Sequence, residues 1–330
     1  MARTTDIAHE DARRLIERAI DKAEQIKMRG AIVVIGGTGA LVSASRMDNG
    51  GAGAVNRAKS KAWIAATQQI PSAEHLGRLQ MIPPPMVAGF PVISPEACFP
   101  GAGGMPIREG GRPDAPVIAG VAASGAGIGP FVGYPGVEPE DLIAAGRPSN
   151  GEDLLVHYAL GIPYAGQHGD DMERWVRVYG SFPDNPGEGR GMAAAPPAQH
   201  QAEHLWALGL ADQAMELARQ RGVRISVAIV DAYGDPIQID RMDGGVASSP
   251  AVSTAVAGTA ATFGLASEDV ASAYPGDALN RLADALPFPV LPAIGGVPLT
   301  LDGTVIAGIG VAGPQPQICR EIAREVAERA

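Results

Sequence analysis

The 330-residue chain contains a version of itself. Displaced by 195 positions, its early stretches superpose without a gap. His9 falls on His204, Ala12 on Ala207, Leu15 on Leu210, Ala19 on Ala214, Ala23 on Ala218 and Gln25 on Gln220. Gly39 then meets Gly234, Arg46-Met47-Asp48 meets Arg241-Met242-Asp243, and Gly50 meets Gly245. Ala62, Ala65, Thr67 and Ser72 meet Ala257, Ala260, Thr262 and Ser267. Past residue 82 the register slips by a few positions, as changes of loop length produce. Gly103-Gly104-Met105-Pro106-Ile107 then meets Gly295-Gly296-Val297-Pro298-Leu299, and Ala119-Gly120 meets Ala307-Gly308. A collinear series of this kind points to tandem duplication, which restricts the architecture to one unit used twice. The expected organisation is a first unit at 1–126, a Gly/Pro-rich connector at 127–201 and a second unit at 202–330.

Each copy has the same pattern. A helix of apolar residues at three- and four-residue spacing is predicted at about 9–27 and 204–221. Apolar strands follow at 31–35 and 226–230. A Gly-containing turn leads in each copy to a second strand, at 41–45 and 236–240, which is a hairpin signature. Ala-rich helices are expected at 54–68 with 72–80, and at 250–262 with 267–282. Strands around the Gly-Gly element and at 116–121 and 305–310 close the unit. Copy two adds a terminal helix at about 316–329. The connector has no counterpart in the repeat and carries one predicted helix, at 151–160. The order β-β-α-α-β-β-β predicts an α+β fold, an antiparallel sheet packed with helices, rather than a doubly wound parallel sheet.

Composition narrows the partners. Net charge is −10, with no Lys/Arg cluster, which argues against nucleic-acid binding. No apolar run approaches the roughly 18 residues of a membrane span. The charged N-terminal stretch resembles no secretory leader, and the chain has two cysteines, Cys98 and Cys319, so the expected compartment is the cytoplasm. Glycine-elbow, P-loop and HExxH motifs are absent, and no GxGxxG opens a helix after a strand.

The second copy shows Val230-Asp231-Ala232-Tyr233-Gly234, then Arg241-Met242-Asp243-Gly244, Gly295-Gly296-Val297-Pro298-Leu299, Asp302-Gly303 and Gly308-Ile309-Gly310-Val311-Ala312-Gly313. This series resembles the GlcG/HbpS haem-binding-like family; copy one resembles it more loosely. The resemblance implies two profilin-like units arranged as an internal pseudo-dimer, homo-oligomeric assembly, and haem or a related tetrapyrrole as ligand. The family tends to carry an Asp at the end of its first strand and a Lys-Ala pair in the helix after Arg-Met-Asp. Copy two keeps Asp231 but has Val256 in place of the Lys. Copy one keeps Lys61-Ala62 but has Gly36 in place of the Asp. The polar groups are thus divided between the copies, which suggests a composite site at their seam.

Candidate residues each carry a plainer alternative. Arg46 and Arg241 can clamp a carboxylate, with Asp48 and Asp243 as base or orienter; equally, the pairs are turn ion pairs with Asp capping a helix. Gly103, Gly104, Gly295 and Gly296 can offer amides to an anion, or merely form a bend. His9 and His204, equivalent at the start of the first helix, can ligate haem iron, or be ordinary helix-start residues. Lys61, on an Ala-rich face, can act as a desolvated base, or reach to solvent. His168-Gly169-Asp170-Asp171 is half a metal site at most; His75, His157 and His200 have no counterpart, and no metal is expected. Two functional readings result. The first is a small-ligand-binding protein of the GlcG/HbpS type. The other is a cofactor-independent catabolic isomerase, lyase or hydrolase acting on an oxidised aromatic or carboxylated metabolite, with Lys61, Asp231, Arg46, Asp48, Arg241 and Asp243 as its machinery.

Overall fold

A computed structural model of the chain describes residues 6–25, 28–79, 81, 83, 99–112, 115–126, 151–161, 203–274, 277–286 and 289–330. The contacts divide it into two compact units, 1–39 with 47–195, and 40–46 with 196–330.

The second unit holds the clearer architecture. Helix α5 (His204–Gln220) leads into β5 (Ser226–Asp231) and β6 (Pro236–Arg241). Helix α6 (Ser249–Phe263) follows, then a 3-10 turn (Ser267–Asp269), α7 (Val270–Ala273) and α8 (Asp277–Ala285). The single helix expected over 267–282 is thus broken. It stops two residues before Pro275, whose ring and missing N–H cannot continue a helix. Strands β7 (Gly296–Leu301) and β8 (Thr304–Ala312) and helix α9 (Pro316–Ala327) complete it. A short strand from the first sequence copy, β2 (Leu41–Arg46), belongs to this unit. It pairs antiparallel with β6, Ala44 opposite Ile239. The antiparallel order is β2-β6-β5-β8-β7.

Alternation along β8 explains how the layers stack. Ala307, Ile309 and Val311 join one core with α5 and α9, which includes Leu210, Ala214, Met215, Ile322 and Val326. Gly308 and Gly310 point the other way, against α6. A Cβ on Gly308 would lie 2.4 Å from the Ala257 carbonyl oxygen, and one on Gly310 would lie 2.0 Å from that of Ser253. Helix backbone rests directly on strand backbone here, which is why this helix is built mostly of Ala, Ser, Thr and Gly. A chain this poor in aromatic residues fills its core by bringing backbones close together.

In the first unit α1 (His9–Gln25) precedes β1 (Arg29–Gly36), and α2 (Ala54–Gln68) and α3 (Ser72–Leu79) follow. Strands β3 (Gly104–Arg108) and β4 (Val117–Ala126) come next, giving the antiparallel order β3-β4-β1. Gly120 repeats the close packing of Gly308: its Cβ would lie 2.2 Å from the carbonyl oxygen of Ala62. Helix α4 (Gly151–Leu160), in the connector, packs on α1, β4 and β3. Those are the partners that α9 finds in α5, β8 and β7. Copy one therefore has a terminal helix too, displaced along the chain by the inserted residues 127–150. Both units are α+β, antiparallel sheet with packed helices.

Candidate functional site

In the first unit three predicted residues, Lys61, Gly103 and Gly104, come together, and the groups that join them are from α4. Lys61 lies on the sheet-facing side of α2 among buried Ala58, Ala62 and Ala65. Its side chain is 4% exposed, and its Nζ donates to Glu152 Oε2 at 2.6 Å. The Phe99 ring centroid is 5.9 Å from the same nitrogen. The second oxygen of Glu152 accepts the Gly125 amide at 2.8 Å, and Asp153 Oδ1 accepts the Gly103 amide at 2.6 Å. Gly103 has φ +105°, and a Cβ there would lie 2.7 Å from Glu152 Cβ, so only glycine fits. The backbone amide expected to await an anionic ligand is already bonded to one of the chain's own carboxylates.

Glu152 and Asp153 were not legible as site residues, because the connector has no repeat partner and its helix falls on this face only in three dimensions. A cavity of about 10 Å³, room for one water, lies beside Glu152 among Met28, Gly30, Met47, Gly125 and Leu155. In the second unit Val256 stands at the Lys61 position and Gly295, φ +120°, at that of Gly103. Buried Ser72 and Ser267, matched by the repeat, do the same work in both units. Their hydroxyls bond the Gly101 and Ala293 carbonyls and tie down the segment that enters the Gly-Gly strand.

Burial, chiefly, pushes the Asp153 carboxyl above its ordinary value of 3.8, against the opposing pull of the Gly103 amide. For a raised carboxyl, the protonation-linked stability is fully present below 3.8 and is lost as pH rises through the folded value. Asp153→Asn keeps an oxygen for the Gly103 amide and removes the charge. We expect it to raise the urea midpoint at pH 7, with the advantage shrinking as pH falls toward 4. An advantage that does not change between pH 7 and 4 would rule out the burial penalty.

The second unit assembles another polar cluster. Arg46, at the end of β2, donates to Asp231 Oδ2 at 2.7 Å, approaches Asp235 Oδ2 at 3.3 Å, and bonds the Pro236 carbonyl through Nε at 3.0 Å. Asp231 Oδ1 accepts the amides of Tyr233 and Asp235 at 2.9 and 3.0 Å, bracing the β5–β6 turn. Arg241 answers Arg46 across the strand pair, its Nε bonding the Leu41 carbonyl at 2.8 Å. Between them runs a buried ladder. Ser43 Oγ and Gln238 Nε2 donate to the two oxygens of Asp240, at 2.8 and 2.7 Å, and Ser45 Oγ donates to Gln238 Oε1 at 2.5 Å. Both oxygens of Asp231 are therefore engaged in bonds to the protein. Hydrogen bonds to charged groups are worth roughly 1.5–3 kcal/mol, so Arg46→Ala should cost about 2 kcal/mol in urea unfolding, and a loss below about 0.5 kcal/mol would show the clamp to be idle.

Asp48 and Asp243 are exposed. His204 is buried at the start of α5, and His9 is half-buried at the start of α1. Burial, followed by the nearby Arg78 charge, lowers the pKa of His75. Burial pushes the Cys319 thiol up to about 11. Cys98, His168-Gly169-Asp170-Asp171 and His200 lie outside the described residues. Among the described residues no three His, Cys, Asp or Glu side chains are grouped to hold a metal, and no helix is long and apolar enough to cross a membrane.

A family-wide profile described as "Haem degrading protein HbpS-like" matches residues 7–128 and again 203–328. The chain belongs to the HbpS-like family. Among solved structures, a double mutant of Streptomyces reticuli HbpS is 30% identical; the match covers 42% of this chain and 98% of that one, with a TM-score of 0.36. Klebsiella pneumoniae protein ORFY is 24% identical over 42% of this chain and 96% of its own, TM-score 0.37. The protein in a structure titled "PduOC:Heme Complex" is 29% identical over 37% and 88%, TM-score 0.34. No curated protein matches. The profile matches once over each repeat, so this chain carries the family unit twice.

Proposed function

We propose that this HbpS-like chain is a small-ligand-binding protein whose ligand is haem or a related tetrapyrrole. The observation that carries the reading is the double family match, in which both copies keep a histidine at the start of the first helix, His9 and His204. Imidazole suits haem iron, which bound haem would supply as a redox centre. His9 is half-buried, and His204 is more enclosed. Lys61 and Asp231 already hold strong internal partners, which weighs against both as the free base and acid of an enzyme. Titration of the full chain with haemin should give a saturable Soret shift that His9→Ala weakens at least tenfold. No shift in the wild type, or one indifferent to both His9→Ala and His204→Ala, would overturn the reading.

A further inference from the structure

The turn after β1 lacks the carboxylate that its counterpart after β5 carries, since Gly36 stands where the second copy has Asp231. The two turns otherwise agree. Gly39 N–H bonds the Gly36 carbonyl at 2.9 Å, as Gly234 N–H bonds that of Asp231 at 3.0 Å, and the two glycines have φ +85° and +83°. In the second unit the Tyr233 amide donates to Asp231 Oδ1 at 2.9 Å. The repeat matches Tyr233 to Thr38. The Thr38 amide donates to Asp6 Oδ1 at 3.2 Å, and the Thr38 hydroxyl lies 3.2 Å from each oxygen of Asp6. A Cβ built on Gly36 would lie 2.5 Å from Asp6 Oδ1 and 2.7 Å from its Cγ. The Asp6 carboxylate thus fills the space into which a side chain at position 36 would project, and takes the amide that such an aspartate would take.

We infer that Asp6 is the first unit's counterpart of Asp231, a positioning carboxylate supplied from the segment ahead of α1 instead of from the end of the strand. The carboxylate was not lost with Gly36; it was moved in sequence and kept in space. A side chain at position 36 would have to displace the Asp6 carboxylate from the turn. Both copies keep a carboxylate at this turn, so it is no longer one of the groups divided between them. The inference rests on the matched turns and not on haem.

A double-mutant cycle on the full chain tests it. Asp6→Ala should lower Tm by about 3 °C and speed hydrogen exchange at the Thr38 amide, because the turn loses its acceptor. Gly36→Asp alone should also lower Tm, since it drives a second carboxylate into the first. Combined, the two substitutions should restore both Tm and Thr38 protection, the relocated aspartate doing in copy one what Asp231 does in copy two. The inference is overturned if the double variant loses the sum of the two single losses, or if Asp6→Ala leaves Thr38 exchange unchanged.

Discussion

Replacing Lys61 with methionine should cost the protein about 3–5 kcal/mol, the usual penalty for stranding one charge of a buried pair. The side chains of Lys61 and Glu152 are 4% and 12% exposed, so solvent cannot take over from the missing ammonium. Methionine fills the same volume among the alanines of α2, which leaves the charge as the variable. Combining Lys61→Met with Glu152→Gln should recover most of the loss, because Gln still offers an oxygen to the Gly125 amide and no longer carries an uncompensated charge. Urea unfolding of the two variants decides the matter. A single-variant loss under about 1 kcal/mol would mean that Glu152 can escape to water, and that α4 is not latched by this pair.

Gly308→Val and Gly120→Val should each cost about 3 kcal/mol or more, at the upper end of overpacking penalties. The obstacle in both is helix backbone, which cannot rotate away as a side chain can. The Gly308 Cβ would meet the Ala257 oxygen at 2.4 Å and the Ala261 Cβ at 3.0 Å; that of Gly120 would meet the Ala62 oxygen at 2.2 Å and the Ala66 nitrogen at 2.6 Å. Gly209→Ala is the contrast. It sits in helix α5 with nothing within 4 Å of its added methyl, so it should stabilise by about 0.5–1 kcal/mol. Thermal unfolding of the three variants reads these differences. If the valine variants unfold with the wild type, helix α2 or α6 rides higher on its sheet than described.

The repeat made much of the fold legible beforehand. The repeat pairs Ala62 with Ala257 and Gly120 with Gly308, and the structure shows what it could not, that each pair is a place where helix backbone lies against strand backbone. Spacing predicts the 151–160 helix but not its neighbours, since periodicity reports that a segment is helical and not what it packs against. The broken helix at 267–282 shows the reverse error, where apolar spacing was followed across Pro275. Of the residues expected to share one pocket, the structure joins Arg46 to Asp231, whereas the carboxylate that meets Lys61 is Glu152, which the sequence does not single out.

The chain's own sequence determined its unit, its α+β class and its membership of the HbpS-like family, since all three depend on local patterns that duplication presents twice. Tertiary structure alone decided which charges are satisfied. Asp6 reaches the turn at Gly36, and Glu152 reaches Lys61, across separations that no local pattern records. A buried charge is defined by what lies next to it in space, and two copies that share a frame can meet that demand from different places in the chain.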